Sequence, residues 1–193
     1  MAERYVIGVD VGTQGTKAAL FRSDGHLMGE GFRESHLHRP SVGVVEEDPE
    51  EQVTAACTAI SQAVQAAEVD PGNVEAIAID GQMAGIMAVG EDGRNATPYD
   101  SWLDTRCAPY IDRMQQEAGD EIVAKAGMAP SFNHGPKVLW WKHERPEVYE
   151  RIAAFVQPAS YVAMRFCELP GREGFIDRSY LHFSGFADNR NNR

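Results

Sequence analysis

Basic residues are in short supply. The chain has 193 residues, with 18 Lys and Arg against 29 Asp and Glu, a net charge of −11. Such a balance repels nucleic acid and anionic membrane surfaces, so neither is expected as a partner. It does not argue against a nucleotide, which backbone N–H groups and Mg²⁺ can hold locally. Cysteine is scarce as well. Cys57, Cys107 and Cys167 are widely spaced, odd in number and form no Cys-x-x-C; free thiols in a reducing cytosol are expected. No apolar run approaches the length of a membrane span. Glu3 and Arg4 precede a short strand, so no secretory leader is expected and the location reads as cytoplasmic. Internal repeats, low-complexity linkers and a P-loop are all missing. What remains is 43% hydrophobic and 24% charged, enough for a packed core in one domain or one and a fraction.

The most informative stretch runs from Val6 to Phe21, VIGVDVGTQGTKAALF. An apolar run ends in Asp10, a polar turn follows, and a second apolar run leaves it, which reads as strand, turn, strand. Gly12 and Gly15 can take φ > 0 and leave no side chain in the way of a phosphate. Successive N–H groups can then point at one anion. Thr13 and Thr16 add hydroxyls, and Lys17 adds a positive charge. Asp10 would repel a bare phosphate, so its natural partner is a hydrated Mg²⁺ beside the phosphates. The bland alternative is a glycine turn that Asp10 merely caps; the residues favour the functional reading.

Ser23-Asp24-Gly25-His26 predicts a second hairpin turn and a third strand over about Leu27–Ser35, an antiparallel meander. Asp48-Pro49-Glu50-Glu51 is a helix start, and the helix should run to about Ala67. Val53, Ala56, Cys57, Ile60 and Val64 share one face at helical spacing, which makes Cys57 a core filler. Val74–Met83, VEAIAIDGQM, reads as a buried strand ending in polar residues, and another strand should cover Ile86–Val89. The order of elements is α/β with a mixed sheet.

Pro98–Arg106, PYDSWLDTR, gathers a Trp, two acids and an Arg where strand gives way to helix. A flat ring over a C–H face, with carboxylate and guanidinium on hydroxyls, is how polyols are bound. The alternative makes Trp102 core and Asp104 the cap of a helix over about Thr105–Gln116, with Arg106 as surface partner. The residues alone tilt toward that alternative. Further helices are expected over Glu117–Gly127, Lys137–Glu144, from Pro146 to about Ile152 and over Pro158–Phe166, with a strand over Ala153–Val156. Ser131–Pro136 reads as a loop, the paired Trp140 and Trp141 as core, and Asn189–Arg193 as a frayed end.

With these stretches in view, the chain resembles the FGGY family of carbohydrate kinases, most of all its xylulokinase-like branch. IGVDVGTQGTKAALF resembles the family's opening phosphate motif, AIDGQMAG its G-Q-M-H-G sugar motif and YDSWLDTR its W-x-D-x-R stretch. GPKVLWWKHERPEVYERI and FIDRSYLHFSGFAD resemble two later segments, in the right order and spacing. The resemblance implies an actin/hexokinase-like (ribonuclease H-like) domain, one of two flanking a cleft, with the sugar held mostly by the N-terminal domain. It implies transfer of the ATP γ-phosphate to a sugar or polyol hydroxyl, with Mg²⁺. By position Asp10 would hold Mg²⁺ through water, and Gly12, Thr13, Gly15, Thr16 and Lys17 would line the phosphates. Gln82, Met83, Trp102, Asp104 and Arg106 would face the sugar.

Three departures stand out. The family's general base is an aspartate in a glycine-rich G-G-G-D-N or A-G-D-Q stretch, and none occurs here. Residues 1–193 are therefore expected to be the N-terminal sugar-binding domain, with the nucleotide-binding domain and catalytic base elsewhere. Alone it should not catalyse transfer, and an exposed apolar face should favour a homodimer or association with the missing domain. The histidine of G-Q-M-H-G is Ala84, which puts d-xylulose in doubt. Tyr180–Phe183 replaces small residues with bulky ones. Two rival readings stay open: a solitary sugar-binding or regulatory module, and an actin-like ATPase domain, which opens with a similar hairpin.

Overall fold

The computed structural model describes residues 3–191. In chain order its elements are β1 (Tyr5–Val11), β2 (Gly15–Arg22), β3 (Leu27–Glu34), β4 (Glu46–Glu47), α1 (Pro49–Ala67), β5 (Val74–Gly81), β6 (Met87–Val89), β7 (Tyr99–Asp100), α2 (Ala108–Ala126), α3 (His134–Glu144), α4 (Pro146–Tyr149), β8 (Ala154–Val156) and α5 (Pro158–Phe166). They divide into two compact units. The first comprises Met1–His36 and Asp48–Gln82, the second Leu37–Glu47 and Met83–Arg193. No helix of the described residues is long and apolar enough to cross a membrane.

The first unit is a four-stranded mixed sheet in the order β3-β2-β1-β5, with β5 parallel to β1 and the other pairs antiparallel. The expected meander is present, with β2 starting at Gly15, inside the stretch expected to be the turn, and β3 ending at Glu34. Strand alternation puts Ile7, Val9, Val11, Ala18 and Leu20 on a buried face, as period-2 patterning requires. Helix α1 opens on Asp48, whose carboxylate accepts from the Glu50 N–H at 2.9 Å, and packs on β2 and β3.

The buried face of α1 differs from the expected one. It is Gln52, Ala55, Ala56, Ala59 and Ala63 that are buried, while Cys57 is exposed. The reason lies in the sheet beneath. A Cβ at Gly31 would fall 2.0 Å from the Ala59 carbonyl oxygen, and one at Gly29 would fall 2.3 Å from that of Ala63. The helix lies against the strand backbone, so small residues win the inner face and larger apolar ones are displaced from it. Strand β5 also departs from expectation. It was expected to be buried, yet it is the sheet's edge, and Ala76, Ile77 and Ala78 are exposed.

In the second unit β4 pairs with β7 and β6 with β8, both antiparallel. Helix α2 begins at Ala108 rather than Thr105, whose N–H goes to the Gly43 carbonyl at 2.8 Å. The two helices expected on either side of Gln116/Glu117 are present within α2, meeting at a break at Ala118 with φ −153°. Helix α3 starts at His134, a turn before the expected Lys137. Pro136 sits in its first turn, where a missing N–H costs nothing. Trp141 is buried, as expected of core. The terminal stretch is tied down as far as Asn189, whose side-chain amide donates to the Ala126 carbonyl at 2.8 Å. Asn192 and Arg193 lie outside the described residues.

Candidate functional site

The sequence-predicted residues fall into two clusters, one in each unit. In the first, β1 ends at Val11 and β2 begins at Gly15. The register sets Asp10 directly opposite Lys17 on β2 and beside Asp80 on β5. These three share the exposed face of the sheet. Lys17 pairs with Glu30 at 2.9 Å, and that carboxylate raises the lysine's pKa, so it stays charged. Asp80 escaped the sequence reading. Its signal was present, since it ends the apolar run of β5 as Asp10 ends that of β1.

The turn works differently from the expectation in three respects. Neither Gly12 nor Gly15 takes a positive φ. What makes Gly15 necessary is crowding: a Cβ there would meet the Phe32 ring at 2.4 Å and the Arg33 carbonyl at 2.6 Å. The Gly12 N–H closes the turn onto the Gly15 carbonyl at 3.1 Å, so it is not a donor that an anion could use. Thr16 faces away from Asp10. It is fully buried beside Val11, and its hydroxyl has no hydrogen-bond partner among the described residues. The correction follows from alternation: Lys17 points out, so Thr16 must point in.

Other features of the turn suit a hydrated cation and phosphate. A Cβ at Gly12 would lie 3.7 and 3.8 Å from the two Asp10 carboxylate oxygens, so glycine leaves that side of the carboxylate open. Among the described residues no three His, Cys, Asp or Glu side chains gather to hold a metal by themselves. A cation here would keep most of its ligands from water and phosphate, as Mg²⁺ does. Gln82 belongs to this cluster rather than the second. Its N–H continues the ladder to the Val11 carbonyl at 3.0 Å, and its side-chain oxygen accepts from the Thr13 hydroxyl at 3.1 Å.

The second cluster is built around buried charge. Asp104 is fully buried. One carboxylate oxygen accepts from the Val45 N–H at 2.8 Å and Arg106 Nε at 2.9 Å, the other from the Arg106 N–H at 3.0 Å. Arg106 is only 11% exposed and also donates to Glu46 at 2.6 Å. Burial opposes its charge, but Asp104, Asp100 and Glu46 outweigh burial and raise its pKa. Its guanidinium lies over the Trp140 ring, 4.9 Å from the centroid. Asp100 accepts from the Trp141 indole N–H at 2.6 Å and stands 3.3 Å from Arg106. Burial pushes the Asp100 carboxyl up to about 7, against the pull of Arg106 and Lys137. Asp104 and Arg106 are thus internal partners of one another, and Asp104 caps no helix.

Trp102 is not core. Ser101–Asp104 is a tight turn, closed by the Asp104 N–H on the Ser101 carbonyl at 2.9 Å. Trp102 sits at its second position and is 48% exposed. Met83 is 48% exposed as well. Its carbonyl oxygen lies 2.6 Å from His134 Nε2, which must carry the proton it donates. Burial holds the His134 imidazole down at about 4, neutral at neutral pH. Gly85 closes the same loop because the Tyr99 hydroxyl lies 2.1 Å from where its Cβ would be.

Comparison with known proteins shows the family. Residues 5–180 match the model of the FGGY family of carbohydrate kinases, N-terminal domain, and the chain belongs to that family. It is 30% identical over 164 residues to the xylulose kinase of Bacillus subtilis (strain 168), covering 84% of this chain and 33% of that protein. It is 31% identical over 150 residues to the glycerol kinase of Thermococcus gammatolerans, covering 77% of this chain and 30% of that one. The crystal structure of Plasmodium falciparum glycerol kinase with ADP superimposes with a TM-score of 0.85 at 15% identity, covering 99% of this chain and 39% of that chain. The fold is the mixed α/β architecture of this kinase domain, as expected. The chain spans about a third of the length of the curated relatives it matches.

Proposed function

We propose that this chain is the N-terminal, sugar-binding part of an ATP-dependent kinase that phosphorylates a hydroxyl of a sugar or polyol. Its C-terminal nucleotide-binding domain and its general base lie outside residues 1–193. The observation that carries this reading is the Asp10 turn. Its carboxylate is exposed, and its neighbour Gly12 leaves the approach clear. Asp10 would hold Mg²⁺ through water, and the cation would supply positive charge to the phosphates. Thr13 and the backbone about Gly15 would line the phosphates, and Lys17 would contribute charge from the same sheet face as Asp10. The Thr16 hydroxyl has no part in this reading.

On the polyol side, Trp102 offers its ring to C–H groups and Met83 lines the approach. Asp104 and Arg106 serve by holding the Trp102 turn in place, because their polar atoms are engaged with one another. Xylulose and glycerol kinases stand at nearly equal identity, so the acceptor is argued only as far as a polyhydroxy compound. The association expected of this chain, as a homodimer or with the remaining domain, would use the open edge strand β5, where Ile77 is 43% accessible.

Calorimetry with glycerol, d-xylulose and Mg²⁺–ADP tests the reading. Polyol binding without phosphoryl transfer is expected of the isolated chain. In that setting Trp102→Ala should weaken polyol affinity by ~1–3 kcal/mol. Wild-type chain that binds neither polyol nor nucleotide, or Trp102→Ala with unchanged affinity, would remove the assignment.

A further inference from the structure

Helix α3 begins with two side chains that reach out of it to other loops. Lys137 is 1% exposed, and its ammonium donates to the carbonyl oxygens of Ser101 and Asp104, each at 3.0 Å. These are the first and last residues of the turn that carries Trp102. A buried ammonium without acceptors is unfavourable by several kcal/mol in order of magnitude, so the carbonyls must stay turned toward it. The Asp104 carboxylate is 3.9 Å away and adds charge without a hydrogen bond. One turn earlier, His134 donates to the Met83 carbonyl. Its other neighbour is the Phe183 ring, with centroids 5.9 Å apart.

We infer that the first turn of α3 is the positioning device of the polyol loops: Lys137 sets the conformation of the Trp102 turn and His134 that of the Met83 loop. Neither touches a ligand. Their effect on binding rests on the polyol reading of Trp102 and Met83, whereas their effect on the loops does not. The pairing is specific, because each side chain reaches one loop by main-chain acceptors that no substitution of the loop's own side chains replaces. Lysine suits the Trp102 turn, since the three donors of its ammonium sit on one atom and two of them serve the two converging carbonyls.

Amide hydrogen exchange on the intact chain tests this without any ligand. Lys137→Gln should speed exchange in Ser101–Asp104 by about tenfold or more and leave Met83–Gly85 unchanged; His134→Gln should do the reverse. A double-mutant cycle adds the ligand readout. Lys137→Gln should lower affinity for glycerol or d-xylulose about tenfold in wild type and about twofold or less in Trp102→Ala. Both variants loosening both loops equally, or neither loop changing, would overturn the assignment, as would an equal affinity loss in both backgrounds. If wild type binds no polyol, the proposed function fails while the exchange pattern still decides the positioning role. Should Lys137→Gln not fold, ¹⁵N spectroscopy of the wild-type Lys137 ammonium decides. Slow proton exchange with couplings to the Ser101 and Asp104 carbonyl carbons supports the role, and a freely exchanging ammonium sinks it.

Discussion

The β1–β2 turn and the Trp102 turn are both short and both present a functional group to solvent, yet they are held in opposite ways. The first is shaped by backbone: a ladder on either side, one N–H to carbonyl closure, and glycines where side chains would collide. The second is shaped by charge, through a buried Asp104–Arg106 pair and a buried Lys137. A turn made by backbone tolerates changes in its neighbours. A turn made by buried ions depends on every partner, since the loss of one leaves another without compensation.

The sharpest way to break this contrast is Asp104→Ala. It leaves the Arg106 guanidinium with Glu46 and Asp100 alone and the Val45 N–H without its acceptor, and the loss should be ~3 kcal/mol of unfolding free energy in urea. A loss within the range of an ordinary surface substitution would show the network to be ornamental.

Next in size is pH. Asp100 is raised to about 7, so between pH 4 and 7 the native state keeps a proton that the unfolded state has lost. Its contribution falls as pH rises through that window. His134 is lowered to about 4, so between 6.5 and 4 the unfolded state binds the extra proton. Its contribution falls as pH drops. The two slopes oppose one another, each at most ~1.4 kcal/mol per pH unit. Thermal melts of Asp100→Asn against wild type should expose the first slope, and those of His134→Gln the second. Parallel pH profiles for wild type and both variants would remove both assignments.

Smaller again is Thr16→Val. The buried hydroxyl lacks a partner among the described residues, so an isosteric apolar side chain should raise stability by ~1 kcal/mol. Destabilisation would mean that the hydroxyl has a partner in solution. The smallest stability effect belongs to Gly12→Ala, whose Cβ would sit 3.1 Å from the Gly15 carbonyl and crowd nothing closer. Unfolding should shift by less than ~1 kcal/mol, while under the proposed function Mg²⁺–ADP affinity should drop. Unchanged affinity would detach Gly12 from the phosphates.

Much of the fold was legible because its signals are local. The Asp48-Pro49 cap, the Asp24-Gly25 turn and the alternation through β1 and β2 each depend on a few adjacent residues, and each gave an element where it was expected. The failures share a cause. Cys57 was placed in the core on helical period alone, but which face turns inward was decided by Gly29 and Gly31, about thirty residues earlier in the chain. Strand β5 reads as buried because its composition is apolar on both faces, yet burial depends on what lies beside it. His134 and Pro136 were read as loop because proline usually ends a helix, and here it stands in the first turn.

The candidate site divides along the same line. That Asp10, Gly12 and Thr13 share one turn was legible because a strand end and a turn are contiguous. The duties of Asp104, Arg106 and Lys137 were not, because hydrogen bonds to Val45, Glu46, Ser101 and Asp104 join segments far apart in sequence. Sequence alone settled which residues are chemically able to serve: an acid at a strand end and a ring in a polar stretch. Only the tertiary structure decided which of them face solvent and which are buried to hold others still. The strength of a charge or a hydrogen bond depends on the water excluded around it, and that exclusion is a property of packed neighbours rather than of any one stretch of chain.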